Sequence, residues 1–433
     1  MKVLVVGSGA REHAIAWKLL QSEAIDTVIC VPGNGGTATL AGCRNLALSV
    51  DDFEGIARFC LVNNITLVVI GPEQPLADGI TDFLRDKGIT VFGPCQAGAQ
   101  LEASKAWAKD LMAKANIPTA AAAVFTRLET ALAYVAEQGA PIVVKADGLA
   151  AGKGVTVAQT VPEANAAITA AFEGAFGAAG QRVVLEEFLV GQEASVLAIT
   201  DGITIRPLLP AQDHKPIGEG DTGANTGGMG AYAPTPVVDT PMLDRIQQEI
   251  LAPTLDALKQ REIDYCGVIY AGLMITPNGD PKVIEFNCRF GDPETQVILP
   301  LLDMPLEQVL LACCQKRLEA YPPLVWKQEA AACVVMAAAG YPDTYPKGMA
   351  IAGIAVAEES GAMVFHAGTR FNENQVVANG GRVLGVTALG ENFAAAIDNA
   401  YHAVAQIQFE HSYYRRDIGY RVEASREARG ERR

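Results

Sequence analysis

The sequence is short of positive charge: 34 Lys and Arg stand against 49 Asp and Glu, for a formal net charge of −15. A field of that sign repels phosphate backbones and argues against nucleic-acid binding as the main task. A local cluster of Arg, Lys or a divalent cation can still override it for a small anion. Long apolar runs are missing too. The longest, around Ala330 to Ala339, is far short of the ~20 residues that span a bilayer. The first residues carry one lysine and a short apolar run broken by Gly7, Gly9 and Arg11, which does not read as a signal peptide. The nine cysteines include no C-x-x-C pair, only the adjacent Cys313 and Cys314. A disulfide scaffold or a zinc site would space them differently, so reduced thiols in a cytoplasmic protein are expected. There is no G-x-x-x-x-G-K-[ST] stretch, which excludes a P-loop.

What is abundant is apolar surface: half of the 433 residues are hydrophobic and 19% are charged. That suits two to four globular domains. Over residues 1–102, runs such as "VLVV", "TVICV" and "ITLVVIG" alternate with helical patterns, which predicts a parallel sheet with helices on its faces. Each run ends in Gly or Pro ("VGSG", "VPGNGG", "IGPE", "FGP"), so these loops should gather at the carboxyl edge of the sheet, where open α/β folds bind ligands. From 103 to 325 the pattern changes. One helix is expected up to Asn116, with Pro118 stopping it. Further on come helices near Glu163 to Gly174 and Pro241 to Arg261, and two strands in "YCGVIYAGLMIT" and "PKVIEFNCRF". Residues 326–421 read as a separate, mostly β module closed by a helix near Phe393 to Ile407, and 422–433 as a charged, disordered tail.

The opening "VLVVGSGAREHA" begins like a dinucleotide-binding unit. That fingerprint needs a third glycine for helix–strand packing and an acid ending the second strand. Gly7 and Gly9 fit, but Glu12 takes the third place and the second strand ends "VPGNGGT". NAD is disfavoured. Backbone amides at Gly9 could still meet a phosphate of another molecule, or the loop is a plain tight turn.

In "VVKADGLAAGKGV", Lys145 follows a β run, and Gly148, Gly152 and Gly154 make a flexible loop with Lys153. A strand lysine beside a glycine hairpin can meet phosphate charge while backbone amides close over a triphosphate and exclude water. In "RVVLEEFLVGQEAS", Glu186, Glu187 and Glu193 could accept from an adenine amino group or ribose hydroxyls, or form a solvated edge. The decisive stretch is "KVIEFNCRFGDPE". Alternation along a strand puts Val283, Glu285, Asn287 and Arg289 on one face at spacings of about 6.6 Å, and Ile284, Phe286, Cys288 and Phe290 on a core face. Glu285 and Asn287 offer two oxygens to Mg²⁺, which keeps waters and substrate phosphates in its shell. The planar fork of Arg289 can hold a carboxylate or a developing phosphate, and Asp292 a substrate ammonium. An exposed polar face is the plainer alternative, but Asn between Glu and Arg has low strand propensity.

Together these segments resemble the ATP-grasp ligases and, more narrowly, the phosphoribosylamine–glycine ligase (glycinamide ribonucleotide synthetase) family. "LEASK", "IPTA", "KADGLAAGKGV", "QDHK", "GANTGGMGAYAPTP" and "EFNCRFGDPETQ" occur in that family's order, and the likeness runs from "VLVVGSGAREHA" to "FHAGT". One departure is Pro216 after "QDHK", where the family often has Arg. The resemblance implies an α/β and α+β multidomain fold: an N-terminal open parallel α/β domain (1–102), an ATP-grasp body (103–325) with a small mobile lid at about 120–190, and a C-terminal β-rich domain (326–421). It implies that ATP, glycine and 5-phosphoribosylamine give ADP, phosphate and glycinamide ribonucleotide through glycyl phosphate, with Mg²⁺ or Mn²⁺. The chain would act as a monomer or weak homodimer, with neither nucleic acid nor membrane as partner.

On this resemblance Lys105 and Lys145 contact the ATP phosphates beneath the loop of Gly152, Lys153 and Gly154. Glu186, Glu187 and Leu189 meet adenine and Glu193 the ribose. Glu285 and Asn287 hold the metal, while Arg289 and Asp292 position glycine, with Arg289, Lys145 and Asp292 carrying the chemistry. Asp213, Lys215 and the loop of Asn225, Thr226, Gly227, Gly228 and Met229 face phosphoribosylamine, whose phosphate reaches Gly9 and Gly35. The alternatives are another ATP-grasp carboxylate–amine ligase or carboxylase, and a catalytically silent nucleotide-binding regulator.

Overall fold

The computed structural model describes residues 1–150 and 154–422. The loop positions Gly152 and Lys153, and the expected tail beyond Val422, lie outside these described residues; Val422 itself is buried in the C-terminal core.

The N-terminal strands are all parallel, in the order Cys43–Asn45, Thr27–Pro32, Lys2–Gly7, Leu67–Ile70, Val91–Phe92. Val3 to Val6 are fully buried because both faces of this sheet are covered. On one face Leu4, Val6 and Val68 pack with Ile56, Leu84 and Leu101. On the other, Val3, Val5 and Val69 pack with Val297, Leu301 and Val309. The second cover comes from helices Thr295–Leu301 and Leu306–Cys314, far along the chain.

The middle of the chain forms two four-stranded sheets. One, ordered Ala122–Phe125, Val183–Glu187, Ile142–Ala146, Val155–Ala158, is antiparallel and has its own small core beneath helices Leu128–Gln138 and Val161–Ala170. The other is ordered Ile205–Pro207, Gln192–Thr200, Gly267–Ile275, Pro281–Asn287. The single helix expected up to Asn116 is two helices, Gln96–Ala103 and Lys105–Lys114. Ser104 between them is extended (φ −135, ψ 111), and its hydroxyl accepts from the Trp107 amide at 3.1 Å as an N-cap. The break leaves Glu102 at the end of one helix and Lys105 at the start of the next.

The C-terminal sheet is not self-contained, contrary to the sequence reading. Two strands of the polar, glycine-rich stretch, Gln212–Asp213 and Gly230–Ala233, extend it ahead of Ala330–Ala338, Arg382–Gly390 and Met363–His366. Helix Phe393–Val404 lays Ala396, Ala400 and Ala403 on it. Asp213 is thereby carried from the C-terminal sheet into the middle of the molecule.

Candidate active site

The carboxyl edge of the parallel sheet and the two central sheets enclose a cleft of about 460 Å³. Glu285, Asn287 and Arg289 all line it; Cys288 packs in the core, and Phe286 packs in the core while also touching the cleft. The expected alternation fails one residue upstream. The partner strand pairs Gly272 with Glu285 and Leu273 with Val283, so Ile284 is an extra, bulged residue. The register flips there: Val283 is fully buried in the core and Ile284 faces the cleft. The bulge presents the Ile284 carbonyl to Lys145, whose ammonium donates to it at 2.7 Å.

Three lysines gather on the same side. Lys145 and Lys109 flank one carboxylate oxygen of Glu186, at 3.0 and 3.2 Å. Lys105 donates to the Gly148 carbonyl at 2.9 Å, where the glycine loop begins, and Gly154 lines the cleft at the loop's far end. Burial pushes the ammonium groups of Lys105 and Lys109 down from their ordinary values. One close carboxylate among three lysines leaves a pocket that favours an added polyanion. Glu186, expected at adenine, is buried and committed to these lysines. Glu187 and Leu189 do not line the cleft: the first accepts from the Ala121 amide at 3.3 Å and the second is buried. Glu193 is turned to Lys215, at 3.3 Å.

Lys215 bridges Glu193 and Glu285, donating to Glu285 at 3.1 Å. The Lys215 charge, with Lys145 and Lys105 behind it, holds the Glu285 carboxyl at about 2 against the opposing effect of burial. Burial would lower Lys215, but Glu193, Glu285 and Asp213 outweigh it and hold its pKa well above the ordinary value. Asp213 is deeply buried, and that desolvation raises its carboxyl to about 7.

Arg289 forms ion pairs with Glu102 at 3.0 Å and Glu73 at 3.3 Å and donates to Asn287 Oδ1 at 3.1 Å. Burial works against its charge, and the two carboxylates more than compensate. Asp292 pairs with Arg382 at 3.1 Å and accepts from Gln296 at 2.7 Å. Sequence reasoning missed Glu73, Glu102, Lys109 and Arg382 as site residues, although "IGPE" and "LEASK" contain the first two. Of the loop 225–229, Thr226 and Gly227 line the cleft. Asn225 is exposed, Gly228 (φ +110) is pressed against Pro293, and Met229 is fully buried with its amide donating to His214 O at 2.8 Å.

Gly9 lines a neighbouring recess of about 430 Å³, with Ser8, Asn34 and Thr369; Asp292, Tyr341 and Arg382 border both spaces. The Gly9 amide already donates to Glu12 at 2.5 Å, so the helix start is capped from within. Glu12 fills the place where a dinucleotide fold needs glycine: a Cβ on Gly71 would lie 2.0 Å from its carboxylate. Gly35, also expected to meet phosphate, donates to Thr369 O at 3.2 Å and is engaged there. Among the described residues no three His, Cys, Asp or Glu converge on one point. Two oxygens from Glu285 and Asn287 suit a hard cation that takes its remaining ligands from phosphates and water.

Three family models match in sequence: phosphoribosylglycinamide synthetase, N domain (residues 1–102), ATP-grasp (A) domain (103–295) and C domain (331–421). A phosphoribosylamine–glycine ligase from a Nostoc species is 64% identical over 423 residues, 98% of this chain and all of that one. The Synechocystis enzyme of the same name is 56% identical over 422 residues, again covering 98% and 100%. The crystal structure of the Thermotoga maritima phosphoribosylamine–glycine ligase superposes with a TM-score of 0.83 at 33% identity, covering 97% and 100% of the two chains. A Campylobacter jejuni biotin carboxylase in complex with β,γ-ATP shares the fold at TM-score 0.70 and 14% identity.

Proposed function

The chain belongs to the phosphoribosylglycinamide synthetase family, and we propose that its ligation runs in the cleft between the glycine loop and the row Glu285, Asn287, Arg289. The enzyme is an ATP-dependent phosphoribosylamine–glycine ligase of purine biosynthesis, with the three-part fold that the resemblance implied. The reading of its site rests on one observation above all. The carboxylate, amide and guanidinium of that row open into the same space as Lys105, Lys109 and Lys145.

In this reading the three lysines hold the ATP phosphates, with Gly148 and Gly154 lining the same cleft. Glu285 and Asn287 hold Mg²⁺ or, in its place, Mn²⁺, which supplies charge neutralisation at the transferred phosphoryl group. Arg289 holds the glycine carboxylate and Asp292 its ammonium. One carboxylate oxygen attacks the γ-phosphorus, the bond to ADP breaks, and glycyl phosphate forms. The ribosylamine nitrogen then attacks the acyl carbon and phosphate leaves. This chain contributes positioning and charge and forms no covalent bond of its own. Asp213, Lys215, Thr226 and Gly227 face the ribosylamine, with its phosphate toward the recess at Gly9.

No helix of the described residues is long and apolar enough to cross a membrane. The proposal extends to where and how the enzyme works: in the cytoplasm, as a monomer or weak homodimer, on small-molecule substrates. Phosphate release that requires ATP, a divalent metal, glycine and freshly generated phosphoribosylamine together is the expected result. Turnover with bicarbonate or D-alanine, and none with glycine plus ribosylamine, would overturn it.

A further inference from the structure

Lys215 is followed at once by a hairpin, Pro216–Gly218 with Thr222–Asn225, that forms a two-stranded sheet of its own. None of its residues is buried, and a lone hairpin is marginal in water. What fixes it comes from the other end of the chain. Arg415, with no exposed surface, donates to Pro216 O at 3.0 Å and to Asp221 Oδ1 at 2.9 Å. The other oxygen of Asp221 accepts from the Tyr420 hydroxyl at 2.6 Å and from Arg421 Nε at 3.1 Å. Asp417 accepts from the Gly220 amide at 2.8 Å, and Tyr413 donates to Ile217 O at 2.8 Å. The same segment reaches past the hairpin to the site strand: Arg421 donates to Asp213 O at 3.0 Å and the Gly419 amide to His214 Nε2 at 3.1 Å.

We infer that residues 412–422 are a positioning strap for the ribosylamine half of the site: acting through Asp221, they set where Lys215 and Asp213 stand against Glu285. The chain on either side of Lys215 is thus held by the strap. Upstream, Asp213 and His214 each accept one of its hydrogen bonds; downstream, Pro216, Ile217 and Asp221 accept others, and Gly220 donates to Asp417. The Lys215 ammonium must meet two carboxylates at 3.1 and 3.3 Å. A buried, fully paired guanidinium is a costly way to add stability, and what it adds is fixed geometry. Asp221 is the shared point, since Arg415, Tyr420 and Arg421 all converge on it.

This inference rests on the assignment of Lys215 and Asp213 to ribosylamine, so the ATP side serves as the internal control. In the full-length enzyme, Asp221→Asn should lower kcat/KM for phosphoribosylamine about tenfold while KM for ATP stays within about twofold. In a Lys215→Met background the same change should add clearly less than it costs the wild type, because Lys215 is one of the two groups that the strap sets. Unchanged kinetics, parallel losses for ATP and ribosylamine, or additive effects in the double variant would each overturn the proposal. Should Asp221→Asn not fold, Tyr420→Phe removes a single hydrogen bond and should shift ribosylamine kinetics alone in the same direction; no shift overturns it equally. A wild-type enzyme inactive with glycine and phosphoribosylamine would instead refute the functional reading.

Discussion

Replacing Glu285 by Gln separates the roles of charge and shape in the cleft. The amide keeps the size of the side chain and can still accept from Lys215 at 3.1 Å. It removes one negative charge from among Lys215, Lys145 and Lys105. The carboxyl sits at about 2 instead of its ordinary 4.5, mainly through Lys215. At about 1.4 kcal/mol per pH unit this would be about 3 kcal/mol for a pair fully removed from water. With 37% of the Glu285 side chain exposed, water screens the pair, and about 1 to 2 kcal/mol is the working value. The folded-state pKa is depressed, so the wild type holds this stability above pH 4.5 and loses it as the pH falls through 2. The variant lacks it at neutral pH and should melt lower there, with a shallower acid loss. Catalysis should suffer more: Glu285 is the charged member of the pair that would hold the metal, and weakening that charge neutralisation at the phosphoryl group is worth about 10²–10³ in kcat. ATP affinity, held by three lysines, should fall by less than about tenfold. Calorimetric titration of ATP beside steady-state phosphate release tests this directly. Equal losses in binding and turnover, or an unaltered kcat, would refute the reasoning.

Further outcomes follow from the same geometry. Glu102→Gln takes from Arg289 its 3.0 Å partner and leaves Glu73 at 3.3 Å; a stability loss of about 3 kcal/mol and a raised KM for glycine with little change for ATP are expected in melts and substrate titrations. Gly9→Asp brings a Cβ to 2.8 Å from the Glu12 carboxylate and adds charge to the recess, so KM for phosphoribosylamine should rise while that for ATP does not; a normal value for the ribosylamine counts against the recess as its phosphate site. His366, buried beside His13, is held at about 4 by burial, below its ordinary 6.5. Its depressed pKa means that stability is lost as the pH falls from 6.5 to 4. Melting temperatures at pH 8 and pH 5 should therefore diverge more for the wild type than for His366→Gln.

The parallel α/β start was legible because buried parallel strands are written as unbroken Val and Ile runs closed by glycine. The site row was legible from Glu285 onward, where strict alternation holds. It failed at Val283 because a bulge belongs to a pair of strands: the irregular step opposite Gly272 and Leu273 leaves no mark in the bulged strand alone. Ser104 could have been read as a cap, since Ser is a strong N-cap residue, but the helical pattern on both sides hid the break. Glu73, Glu102, Lys109 and Arg382 look like ordinary surface charges in sequence. Their partners lie far away in the chain, Arg289 being 216 and 187 residues from Glu73 and Glu102, and only folding brings them together. The two strands that extend the C-terminal sheet were hidden for the same reason, since a polar glycine-rich stretch gives no sign that Gly230–Ala233 pairs with Ala330–Ala338 and Gln212–Asp213 with Gly230–Ala233.

That borrowed pairing has a consequence during synthesis. Gly230–Ala233 leaves the ribosome roughly a hundred residues before the strand it bonds to, a wait on the order of 5–20 s at ordinary translation rates of about 5–20 residues per second. Until then an apolar edge has no mate, and Asp213 and Lys215 have no fixed station. A nascent chain that stalls in this interval would be open to edge-to-edge aggregation, and the catalytic centre would be among the last parts of the enzyme to take shape.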